Sequence, residues 1–480
     1  MRPLILILCL ISFWACNNSG NANGIIDASR PQIPAEAPDF SIQIEGIGSG
    51  QAAMVGTYGE RQFKVDSTTI DATGYMHFKR DEPYPSGLYY FVLPDKTVLQ
   101  FLIDVDQTFT MKTRAGDVIN SMQVEGSKDN ELLYANLKFE AENQPFIQQL
   151  SQQLNSTPSN DPRYQQLKKQ QDDFIKKRQT HLQDLYKQAP NSFFVKYKQA
   201  GQNPELRDIR LSDGSINNAA QVYHYRMDFW NNVDFSHEGL IGTPVIFNKL
   251  KRYINELTAQ HPDSICQSAA FLMDKVEKYP KYAEFFANWI VLNYDPAKTS
   301  LMDSDAVFVF MIQNYFTYEK AHWADSAEIY SIQLRAHEMA SSLIGKKGPD
   351  VQAKDPNGKL QSIYAIQSPY IIVYMYNPTC EHCMEQTPKL VNFYRQWKSK
   401  GVEVFGIALD TDQDEWKAYI AKNGMDWINV FDPSNKSIYA KYFVDHTPEL
   451  YVLNPERIII GKNLKVNQVE EIIRRDQEKR

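Results

Sequence analysis

Two cysteines separated by two residues, Cys380-Glu381-His382-Cys383, stand where an apolar run (370–376, YIIVYMY) gives way to an amphipathic helical pattern. Nothing else constrains the chain as tightly. Side chains three apart on a helix are neighbours, with Cβ atoms roughly 5–6 Å apart, and a disulfide needs Cα atoms about 4.4–6.8 Å apart. The pair can therefore open and close without rearranging the backbone. At the start of the helix, Cys380 meets free backbone N–H groups and the positive end of the macrodipole, which favour a thiolate over a thiol. Cys380 is thus the candidate nucleophile and Cys383 the resolving thiol. A structural zinc site would need four ligands and usually a second ligand pair. The other cysteines are Cys9, Cys16 and Cys266, and no histidine pair has ligand spacing. The strand-to-helix context favours redox chemistry over metal binding.

Pro388 interrupts the helical pattern 380–397, removing a backbone donor and marking a kink. A second apolar strand is expected at 402–408, a helix near 413–422, strands at 449–453 and 457–460 and a closing helix at 467–475, with an entry hairpin turning at Asp355-Pro356-Asn357-Gly358. In this order, residues 346–480 resemble a thioredoxin-fold domain of the TlpA/ResA type, extracytoplasmic thiol–disulfide oxidoreductases. The resemblance implies an α/β thioredoxin-like fold. It also implies that Thr447-Pro448 is the residue-plus-proline that such proteins place opposite the active-site pair, with the X-Pro bond in cis. That loop would offer backbone groups to an extended substrate segment.

The chain departs from the family at three places. Thr379 stands where thioredoxins usually carry Trp, Tyr374 aligns with their buried acid, and Gln386 occupies the position of the TlpA-type glutamate. These departures touch the route of proton transfer and leave the two-cysteine chemistry intact. Between the cysteines, His382 resembles the histidine of disulfide isomerases and DsbA, which stabilises the thiolate. Glu381 disfavours a second negative charge beside it and also occurs in reducing, ResA-like proteins. The direction of electron flow therefore stays open, with the whole-domain resemblance on the side of a reductase.

Residues 1–15 (MRPLILILCLISFWA) have one early charge and an apolar run of signal-peptide length, too short for a spanning helix of roughly 20 residues. The stretch before Cys16 resembles a relaxed bacterial lipobox, although Phe13 and Trp14 are bulkier than usual there. This implies that Cys16 is lipidated and anchors the protein in the cell envelope, facing the periplasm or exterior. Residues 16–36 then read as a polar, flexible tether. The formal net charge of −7 comes without basic clusters, which argues against a nucleic-acid partner.

With 480 residues the chain holds more than one domain. Residues 37–127 read as short strands, among them 40–44, 75–78, 88–93 and 98–103, making a small antiparallel β-sandwich-like domain. It resembles the β-domain found at the front of thioredoxin-like lipoproteins, with Asp66-Ser67 after the first hairpin and a closing Gly126-Ser127. Residues 128–345 take on helical spacing, as in 132–154, 162–188, 244–260, 268–279 and 325–343, and read as an all-helical middle region. Cys266 reads as a small buried residue.

Two functions are in view. One is a lipid-anchored thiol–disulfide oxidoreductase whose Cys380 attacks protein disulfides, which needs an external redox donor but no metal or organic cofactor. A peroxiredoxin is disfavoured, because Val373 and Asn377 occupy the positions of its Pro and Thr. The alternative is a thioredoxin-like binding or scaffold lipoprotein without catalysis. The presence of both cysteines counts against it.

Overall fold

The computed structural model describes residues 35–480 except 297, 300, 434–440 and 445, so the expected signal segment, Cys16 and nearly all of the tether lie outside the described residues. The described chain opens with β1 (Asp39–Glu45), β2 (Gly50–Tyr58), β3 (Arg61–Ile70), β4 (Tyr75–Lys79), β5 (Gly87–Val92), β6 (Val98–Ile103), β7 (Thr110–Arg114) and β8 (Gln123–Glu125). They form two sheets, ordered β4-β1-β7-β8 and β3-β2-β5-β6. Alternation in β1 buries Phe40, Ile42 and Ile44, and Phe40 meets Phe101 of the second sheet with ring centroids 6.0 Å apart. The sandwich is not wholly antiparallel: β7 pairs with β1 in parallel. The chain reaches β7 by crossing back from the other sheet, rather than through a hairpin, and so arrives running with β1. Tyr84 donates to Asp66 at 2.5 Å.

The closing Gly126-Ser127 becomes the start of a helix. Ser127 caps α1 (Lys128–Ser156) by accepting from the Asn130 N–H, as Ser does at N-caps. The helices that follow are α2 (Pro162–Gln188), α3 (Phe193–Ala200), α4 (Asn218–Asp228), α5 (Pro244–Asn255), α6 (Pro262–Val276), α7 (Pro280–Asn293), α8 (Ser304–Tyr315) and α9 (Ser326–Ala340). Proline opens α2, α5, α6 and α7, where its missing N–H costs nothing. The sandwich and the helices share one continuous apolar core.

The C-terminal region builds its own sheet from β9 (Gln352–Lys354), β10 (Leu360–Ser362), β11 (Tyr370–Tyr376), β12 (Val402–Ala408), β13 (Ile428–Phe431), β14 (Glu449–Leu453) and β15 (Ile459–Gly461). The order is β10-β9-β13-β12-β11-β14-β15, with β12 parallel and β14 antiparallel to the central β11. Every residue of β11 is buried, and alternation divides them between two cores. Ile371, Val373 and Met375 pack with Tyr442 and Tyr451 on one face. Tyr370, Ile372, Tyr374 and Tyr376 face α10 (Glu381–Trp397), α11 (Gln413–Asn423) and α12 (Val466–Lys479) on the other. Helix α10 buries Cys383, Thr387, Leu390, Val391, Tyr394 and Trp397, the helical stripe that faces a sheet, and it runs on through Pro388.

The helical region meets this sheet at β15. Gly345 N–H donates to Ile459 O at 2.8 Å, Ile459 N–H to Lys346 O at 2.9 Å and Gly348 N–H to Arg457 O at 2.7 Å. Among the described residues no helix is long and apolar enough to cross a membrane.

Candidate active site

The turn after β11 aims the two sulfurs. Asn377 accepts from Thr379 N–H at 2.8 Å and from its hydroxyl at 2.7 Å, and its own carbonyl takes the Cys380 N–H at 3.1 Å. This Asx-type turn delivers Cys380 as the N-cap of α10. Cys380 is part-exposed, whereas Cys383, inside the first turn, is fully buried. Both are free thiols. Opposite them runs the loop that enters β14, with Thr447–Pro448 in cis. The Cys380 thiol donates to the Thr447 carbonyl at 3.2 Å, and Cys383 Sγ accepts from the Asn377 N–H at 3.5 Å. Cys380, Cys383, Thr447 and Pro448 are thus brought together from two separate stretches of sequence, and Asn377 joins them.

The surroundings split the two thiols. Burial alone raises Cys380, but the backbone N–H and the thiol of Cys383, the Thr447 hydroxyl and the His382 backbone N–H all stabilise its thiolate, and the net effect is a lowered pKa. Burial pushes Cys383 up to about 12, the Asn377 N–H offsetting only part of it and neighbouring Cys380 adding to it. Helix-start donors depress a thiol in this way, and apolar surroundings raise one. His382 contributes through its backbone here; its side chain and that of Glu381 are exposed.

Behind the pair, Tyr374 reaches a hydroxyl cluster. Its OH lies 2.8 Å from Thr387 Oγ1, to which Tyr419 OH also donates at 2.9 Å. Tyr376 stacks on both tyrosines, at 5.3 and 5.6 Å between centroids, and receives the Trp416 indole N–H at 3.1 Å. Asn377, Thr387 and Tyr419 escape a sequence reading, although an Asn-Pro pair right after a strand is a turn signal. Gln386 is half-buried and Thr379 exposed. Cys266, expected to be buried, is only half-buried and packs against the helical core, where desolvation pushes its thiol up to about 12. Among the described residues no group of three His, Cys, Asp or Glu side chains could hold a metal ion.

Comparison with known proteins bears on this region and on the β-sandwich. Residues 368–459 match the thioredoxin-like family profile, and residues 40–133 match a domain of unknown function, DUF4369. Thiol-disulfide oxidoreductase ResA of Bacillus subtilis is 25% identical over 138 residues, covering 29% of this chain and 73% of that one. ResA of Bacillus thuringiensis is 26% identical over 128 residues, covering 25% and 72%. Among solved structures, a domain of a possible thiol-disulfide isomerase from Cytophaga hutchinsonii is 28% identical, with a TM-score of 0.27 and coverage of 28% of this chain and 95% of that one. A thioredoxin-like protein from Bacteroides caccae is 18% identical, with a TM-score of 0.46 and coverage of 57% and 97%.

Proposed function

We propose that this chain, whose C-terminal region is a thioredoxin-like thiol–disulfide oxidoreductase domain, works on protein disulfides in the cell envelope, tethered there by lipid on Cys16. The Cys380 thiolate attacks one sulfur of a substrate disulfide, forming a mixed disulfide and expelling the other sulfur as a thiolate. Cys383 then loses its proton and attacks Cys380 Sγ. This closes the Cys380–Cys383 disulfide and releases the second substrate thiolate, so two electrons pass from the pair to the substrate. An external dithiol donor restores the reduced pair, and each expelled thiolate takes a proton from solvent. The reductase direction is our reading.

The observation that carries the proposal is the asymmetry of the pair: a part-exposed Cys380 with a lowered pKa beside a buried Cys383 pushed up to about 12. An attacking thiol needs access and thiolate character, and a resolving thiol needs only to wait behind it. Thr447–Pro448 supports the reading by placing a carbonyl against the nucleophile where an extended substrate segment would lie. The anchor rests on the sequence before Cys16. A disulfide-reductase assay on the purified protein beside Cys380→Ser and Cys383→Ser tests it. Loss of turnover in both variants is expected, and turnover retained by Cys380→Ser would sink the proposal.

A further inference from the structure

The helical region puts a buried charge against the C-terminal sheet. Lys462, one residue beyond β15, is fully buried, and its ammonium contacts the carboxylate of Asp305 in α8, itself almost wholly buried. The same ammonium lies 5.3 Å from the ring centroid of Tyr451 in β14. Tyr451 OH donates to Glu449 Oε1 at 3.2 Å. Glu449 is buried, follows Pro448 directly, and opens β14 opposite Met375 of β11. Two residues earlier, Thr447 holds the Cys380 thiol at 3.2 Å. A line of contacts therefore runs from α8 through the sheet to the nucleophile. Beside it, burial pushes the Asp303 carboxyl up to about 7, and Asp303 accepts from the Ile344 N–H at 3.2 Å.

We propose that Asp305 and Lys462 are positioning residues for Cys380: the ion pair fixes Tyr451 and Glu449, and through them the entry to β14 and the Thr447–Pro448 loop, so the helical region sets how reactive the nucleophile is. The proposal rests on the redox reading above. A buried ion pair adds little stability that well-packed apolar side chains would not, because desolvation offsets the attraction. What it does supply is a fixed geometry, and here that geometry reaches a buried carboxylate beside the substrate loop. A carboxylate at the first position of a buried strand is costly unless held, and Tyr451, whose hydroxyl also faces the Phe443 carbonyl at 3.3 Å, is one of the groups that hold it.

The double substitution Asp305→Asn with Lys462→Met removes one charge of each sign. The net charge of the cluster is unchanged and only the imposed geometry is lost. In the reduced full chain, alkylation of Cys380 by iodoacetamide, followed across pH by peptide mapping, should move its midpoint up by about half a pH unit or more, an ordinary size for coupling between sites. kcat for disulfide exchange should fall about threefold or more with it. A purely structural role would lower the melting temperature and leave the alkylation midpoint in place, and an unchanged midpoint in the folded double variant overturns the proposal. Should that variant not fold, Tyr451→Phe decides, because it keeps the ion pair, the ring and every charge and removes only the hydroxyl that reaches Glu449: the same upward shift supports the proposal and an unchanged midpoint overturns it. The midpoint is read without any disulfide substrate. Failure of the redox reading, seen as exchange retained by Cys380→Ser, is therefore a separate outcome.

Discussion

Cys380 and Cys383 carry the same group three positions apart, and what separates them is access to water and to hydrogen-bond donors. The sign of the pH dependence follows. As pH rises, alkylation of Cys380 should climb with its midpoint below the ordinary thiol value of about 8.5. Cys383, pushed up to about 12, should stay inert over the same range. Mass-spectrometric alkylation of the reduced protein checks this, and a single thiol titrating at or above the free value would contradict it. The spacing of the cysteines and the helix they begin were legible in the sequence, because both are local. The donors to Cys383 and the cluster of Tyr374, Thr387 and Tyr419 were not, since Tyr419 comes from a helix 32 positions further on than Thr387.

At the level of elements, α10 is held to its sheet partly by Thr387, a buried hydroxyl shared by two tyrosines from β11 and α11. Thr387→Val keeps the shape but strands both phenols, and it should cost about 1–3 kcal/mol, read as a lower urea midpoint. Tyr374→Phe removes one hydroxyl and leaves Thr387 still bonded to Tyr419, so it should cost less, about 1 kcal/mol. The elements of this region were largely legible: β11, β12 and β14 fall on the runs 370–376, 402–408 and 449–453. Short β13 was missed, being four residues without alternation after Trp427. In the sandwich, most residues of β3 face solvent, so no apolar period marks it, and Asp66-Ser67, expected after the first hairpin, lie inside this strand. The parallel pairing of β1 with β7 is set by a long crossover, which no local pattern encodes.

Across the whole molecule, a shared core joins the sandwich to the helices, and Lys462 with Asp305 joins the helices to the C-terminal sheet. Asp305→Ala alone would leave the Lys462 ammonium buried and uncompensated. It should lower stability by about 3 kcal/mol or more, seen as a fall in Tm that Lys462→Met in the same chain partly restores. That contact was illegible in sequence, because its partners lie 157 positions apart. At the other end, the proposed anchor rests on Cys16, outside the described residues. Cys16→Ala should release the protein from membranes, or block its processing, without changing thiol exchange in vitro, as fractionation and a reductase assay would show. The central claim, that Cys380 attacks and Cys383 resolves, is tested most directly by trapping in cells. With Cys383→Ser, covalent complexes that reductant releases should accumulate between this chain and its partners, and with Cys380→Ser they should not; equal trapping by the two variants would contradict the assigned roles.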